Sequence, residues 1–153
     1  MHNVVLALLF IVQAAALPSA SPLPLHITID AAALQGVRVQ SIDATGEHSG
    51  SARYTGVSLR DVLTKFGVPT GHEVSGKLMQ TIVVVSAADG YRVAFSLAEL
   101  DPSFTDRTIL IADRRGGQLL PAREGPYRLI VPGDKREGRW IRQVTDVEVK
   151  GAT

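Results

Sequence analysis

Chemistry in this sequence is most visible as charge. Between Arg114 and Arg142 stand eight basic residues, Arg114, Arg115, Arg123, Arg128, Lys135, Arg136, Arg139 and Arg142, against three acids, Glu124, Asp134 and Glu137. The stretch carries +5 in a chain whose net charge is +1. Seven of the eight cations are arginine, whose planar fork suits bidentate contacts to phosphate or carboxylate. Gly116-Gly117, Gly125-Pro126 and Pro132-Gly133 mark turns whose backbone N–H groups lie close by. From the residues alone two readings are open. One is an anion pocket. The other is a solvated basic face that keeps edge strands from pairing with other chains.

Other chemistries are excluded. The chain has no cysteine, so disulfides, thiolate zinc sites, iron–sulfur ligation and a cysteine nucleophile are absent. The mature part holds His26, His48 and His72, none spaced as H-x-H or H-E-x-x-H, which argues against zinc. No G-x-S-x-G elbow or phosphate-binding Walker loop occurs. A net charge of +1 gives no reason to expect nucleic acid or a membrane surface as partner.

The elements that must position the arginines follow from pattern. Val4 to Ala16 is apolar apart from Gln13 and ends in Ala14-Ala15-Ala16. That is the short apolar core and small-residue end of a signal peptide, expected over 1–20 with cleavage within 14–20. The run is too short to span a bilayer comfortably, so stable membrane insertion is not expected after cleavage. Only His2 and the α-amino group supply charge before it, and a buried N-terminal helix or uncleaved anchor is the competing reading. Export without disulfides points to a periplasmic or secreted location.

One domain is expected over 25–150. Strands are read at Leu25–Asp30, Val37–Ile42, Thr81–Ala87, Tyr91–Phe95, Thr108–Ala112, Tyr127–Val131 and Trp140–Val149. Leu119-Leu120 is a short return after Arg115-Gly116-Gly117, and Thr45–Ser51 reads as a loop. Ser58–Phe66 is the clearest helix. Ser58 caps it, Leu59, Val62, Leu63 and Phe66 share one face, and Gly67 stops it. Ser96-Leu97-Ala98-Glu99 repeats the capping pattern. The mixed order predicts an α+β class: a compact mixed β-sheet domain with two or three short helices.

Six segments, in order, carry a resemblance. They are Tyr54–Leu63 (like "W-x-G-V-x-L-x-D-L-L"), Ala88–Tyr91 ("x-D-G-Y"), Ile109–Ala112 ("V-L-L-A"), Gly116–Leu120 ("N-G-x-P-L"), Gly125–Gly133 ("G-x-P-x-R-x-V-x-P-G") and Arg139–Ile141 ("V-K-W-L"). Together they resemble the sulfite-oxidase-type molybdopterin-binding family over roughly residues 25–149. The resemblance implies that fold and a pterin cofactor. It also implies that Arg128 and Arg139 lie beside the pterin and its phosphate. Tyr54, in place of the usual tryptophan, is either pocket wall or packing. Arg142 joins these three as a candidate cofactor contact, and Trp140 reads as core.

The sequence departs from the family where the metal binds. Catalytic members carry a cysteine whose thiolate ligates molybdenum. Here Ala44-Thr45-Gly46-Glu47 matches that loop and puts Ala44 in the cysteine slot. No metal ligand and no catalytic residue is therefore assigned, and the missing thiol argues against molybdenum. Three functions compete: a module binding a small anionic ligand or pterin, a molybdenum enzyme whose metal is held by the pterin alone, and a structural domain with a decayed pocket.

Overall fold

The computed structural model describes residues 23–151. The apolar run and its cleavage window lie outside the described residues. Among the described residues, nine strands and two short α-helices follow in chain order. They are β1 (Leu25–Thr28), α1 (Ala31–Leu34), β2 (Val39–Gly46), β3 (Gly50–Ser58), α2 (Leu59–Lys65), β4 (Ile82–Ala87), β5 (Arg92–Ser96), β6 (Leu110–Arg115), β7 (Gln118–Leu119), β8 (Arg128–Ile130) and β9 (Val144–Lys150). Short 3-10 turns occur at Gly71–Glu73, Gly76–Gln80, Ala98–Leu100 and Glu137–Arg139.

The strands make two sheets. One runs β1-β9-β4-β5; the other runs β2-β3-β6, and β7 and β8 share the far edge of β6. Every pairing is antiparallel. The expected compact β-sheet domain with short helices is thus mostly β, and its expected mixed sheet is corrected to two antiparallel ones. Parallel neighbours need crossovers of a dozen or more residues, usually helical, whereas the two helices here have four and seven residues.

Alternation sets which faces turn inward. Val83, Val85 and Ala87 of β4, Val93 and Phe95 of β5, and Val147 and Val149 of β9 are buried. In β6 and β8 the burial is continuous instead: Leu110, Ile111 and Ala112 face Ile130, Leu129 and Arg128 in register, and all six are buried. Successive side chains point to opposite faces, so this part of the sheet is covered on both sides.

The helix after β3 forms as its sequence predicts. Ser58 Oγ accepts the Asp61 N–H at 2.9 Å, Leu59, Val62 and Leu63 are fully buried, and Gly67 takes φ 82°. Phe66 sits just past the helix end and is only half-buried.

Two expectations are corrected, and one element was not expected. The loop over Thr45–Ser51 is mostly ladder: β2 runs to Gly46 and β3 begins at Gly50. Gly46 pairs with Gly50 and Ala44 with Ala52, so a polar, glycine-rich run closes a hairpin without leaving the sheet. The expected strand from Trp140 begins only at Val144. Trp140 ends a 3-10 turn, and Gln143 takes φ 49°, which no strand residue adopts. Finally, α1 is a single turn capped by Asp30, which accepts the Ala33 N–H at 2.8 Å. One turn has no periodicity by which to be read.

Candidate functional site

Arg128 lies in β8 at 1% exposure. Burying a cation is costly unless it is paired and hydrogen-bonded, and here it is paired twice. Its Nη1 donates to Glu124 Oε2 at 2.9 Å. Its Nη2 donates to Glu137 Oε2 at 3.2 Å and to Ser49 Oγ at 3.0 Å. The guanidinium also stands over the Trp140 ring at 5.9 Å. Its Nε has no hydrogen-bond partner among the described residues.

Glu137 joins this network to the turn between β2 and β3. Its Oε1 accepts the backbone N–H groups of His48 at 2.8 Å and Ser49 at 2.6 Å, and its Oε2 accepts the Ser49 hydroxyl at 2.8 Å. Burial alone would push its carboxyl up. The Ser49 and His48 donors and the Arg128 charge outweigh that and hold it below the ordinary glutamate value. It therefore stays ionised at neutral pH.

Arg139 belongs to a different cluster. Its Nε and Nη2 form a bidentate pair with Asp134, both at 2.8 Å, and its Nη1 reaches Glu99 Oε1 at 2.9 Å. Arg107 closes the ring, with Nη1 on Asp134 at 3.1 Å and Nη2 on Glu99 at 2.9 Å. Arg139 also stacks 4.6 Å from the Phe95 ring centre. Asp134 is held low chiefly by its hydrogen bond from Arg139. In Glu99 burial raises the carboxyl, and the Arg139 and Ser96 hydrogen bonds outweigh it. The two arginines read as neighbours of one anion thus sit in separate ionic networks. The turn at 137–139 sends Glu137 toward Arg128 and Arg139 toward Asp134.

Arg128 forms part of the lining of a cleft of about 730 Å³, together with Arg123, Arg136, Arg142, His48, Glu137 and Trp140. Arg123 and Arg136 are exposed, at 81% and 87% of their side-chain surface. Arg142 is exposed and makes no hydrogen bond or ion pair among the described residues. Tyr91 closes one side, its hydroxyl donating to the Gly138 carbonyl at 3.0 Å. Arg139 is not on this cleft. A second hollow of about 680 Å³, beside α1, has mainly apolar walls and takes in only Arg114 of the basic stretch.

Tyr54 is fully buried and meets Trp140 edge-on, with ring centres 6.0 Å apart. Arg115 lies 5.9 Å over its ring, and its hydroxyl has no partner among the described residues. It packs behind the cleft rather than lining it. Ala44 is buried in the middle of β2, not in a loop, and is not among the residues lining the arginine cleft.

Sequence reasoning missed Glu124, Glu137 and Ser49. The first two entered it only as charges subtracted from a basic stretch. Glu124 stands four residues before Arg128, but Ser49 comes from the far side of the chain, where nothing local marks it. A family model described as "Oxidoreductase molybdopterin binding domain" matches residues 26–152. No curated protein matches the chain.

Proposed function

The chain belongs to the oxidoreductase molybdopterin-binding domain family, and from that premise we propose that it is an exported, ligand-binding member without sulfite-oxidase catalysis. The ligand class is a small anion, a phosphorylated pterin included. The observation that carries this is the cleft of about 730 Å³, which four arginines border, in a chain with no cysteine.

Molybdenum does not fit the residues present. The molybdenum of this family is tuned by its soft thiolate ligand, and Ala44 offers a buried methyl group in a strand. Arg128 and Arg139 do not offer free guanidinium groups to a phosphate either, since each is committed to two carboxylates. No redox step is therefore derived. What supports binding is the rim. Arg142 carries no partner among the described residues, and Arg123 and Arg136 have only loose ion pairs at 3.8 and 3.9 Å. Arginine forks at the mouth of a cleft suit an oxoanion that remains partly hydrated. Export rests on the apolar run from Val4 to Ala16 and its small-residue end.

The test is to purify the full chain from a host that makes the cofactor and to measure molybdenum, released pterin and sulfite-to-acceptor turnover. We expect molybdenum well below one per chain and no turnover. Phosphate binding should weaken about tenfold in Arg142→Ala, the size of one charge-assisted contact. Stoichiometric molybdenum with turnover overturns the reading, and unchanged phosphate binding in Arg142→Ala removes the rim from it.

A further inference from the structure

The carboxylate of Glu137 makes the contacts that a bound anion makes. It comes from the turn at 137–139 and crosses to the turn between β2 and β3. Two backbone N–H groups, of His48 and Ser49, converge on Oε1, and the Ser49 hydroxyl and Arg128 Nη2 converge on Oε2. Paired amides, a hydroxyl and a guanidinium form a donor set that holds a tetrahedral oxoanion.

Two further observations show that the site is built. The first is Gly46. A Cβ at this position would stand 2.0 Å from Glu137 Oε1. Gly46 is not among the glycines with positive φ, so its backbone suits any residue. Glycine supplies clearance for the carboxylate there, not conformation. The second is Arg128, buried to 1% exposure, whose Nε has no partner among the described residues. The guanidinium keeps a donor in reserve after meeting Glu124, Glu137 and Ser49. Arg128 and Glu137 both border the open cleft, so an ion has a route to the place the carboxylate fills.

We propose that the β2–β3 turn and Arg128 form an oxoanion-binding site whose resting occupant is the chain's own Glu137, so that sulfate or phosphate enters when this carboxylate is withdrawn. The site is the floor of the cleft, distinct from its exposed rim, and the inference does not depend on whether the rim takes a ligand.

Sulfate titration of the full chain tests this by calorimetry, on wild type, E137A and E137A/G46A. Sulfate should bind E137A about tenfold or more tighter than wild type, because a competing charged acceptor has gone. E137A/G46A should lose the gain, since its methyl group would stand where an oxygen of the anion must sit. Acetate should raise the melting temperature of E137A and leave wild type unmoved. The gain should persist in E137A/R142A and vanish in E137A/S49A. Equal sulfate affinity in E137A and wild type overturns the proposal, as does loss of the gain in E137A/R142A, which assigns the ion to the rim. Should E137A fail to fold, E137Q keeps the shape and removes the charge. Its sulfate affinity must then exceed that of wild type, and equality overturns the proposal.

Discussion

Arg128 holds the floor of the cleft together by answering two carboxylates at once. Glu124 and Glu137 are both largely withdrawn from water, at 8% and 11% of their side-chain surface. Removing the guanidinium leaves two carboxylates without their cation in a place that solvates them poorly. Arg128→Ala should therefore cost roughly 3–5 kcal/mol of unfolding free energy, the scale for breaking a buried pair from one side. Urea denaturation measures it, and a loss below about 1 kcal/mol, the scale of an exposed pair, would mean that water reaches the network. The position was legible in the sequence as an arginine in a strand-forming run, and its partners were not. A charge count treats Glu124 and Glu137 as dilution of a basic patch. Only the folded chain brings them within 3.2 Å of one guanidinium.

At the scale of elements, α2 and β3 depend on fit more than on charge. The Leu63 side chain is fully buried in the face that α2 turns to the core. Leu63→Ala should cost about 2–5 kcal/mol, with the upper part of the range reached if the site cannot collapse. A loss below about 0.5 kcal/mol, typical of a surface change, would place that face in solvent. Gly56 sits in β3 where the register against β6 shifts between Thr55 and Gly56. A Cβ there would stand 2.0 Å from the Ile111 carbonyl oxygen and 2.7 Å from Ala112 Cα. These are backbone atoms of a buried strand and cannot swing aside. Gly56→Ala should destabilise by roughly 1–3 kcal/mol or more through overpacking. At Gly46 the obstacle is only the end of a side chain, so Gly46→Ala should cost less in the same thermal melt. The reverse order would show that β3 and β6 can separate locally. The helix was readable because its cap, its apolar spacing and its stop are local. The long β2–β3 hairpin was not, because its polar residues lie on an exposed face and pairing alone makes them a strand.

For the whole molecule, acid is the informative stress. The carboxyls of Glu99, Asp101, Asp134 and Glu137 are all held below their ordinary values. In Asp101 burial pushes up, and the Gly71 and Ser103 N–H groups and Arg60 outweigh it. For a group whose folded value is depressed, the unfolded chain binds protons first, so stability rises with pH across the gap between the two values. The contribution is complete above the ordinary carboxylate range, about 4 to 4.5, and is lost as the pH falls through the lowered folded values. Melting temperature should be level near neutrality and drop below that range, and Glu137→Gln should make the drop shallower. A drop of the same steepness in Glu137→Gln would mean that this carboxyl carries no share of the linkage. The sequence by itself determined the family, the helix α2 and most strand positions. It also determined the absence of the thiol, because composition, local spacing and a zero count survive any folding. Tertiary structure alone decided that the strands form two antiparallel sheets. It alone decided that Arg128 and Arg139 belong to different networks, and that Ser49 and Glu137, 88 residues apart, meet over one cation. Which acid answers which arginine depends on the path of the chain through space, and charge acts through distance in space, to which sequence separation is no guide.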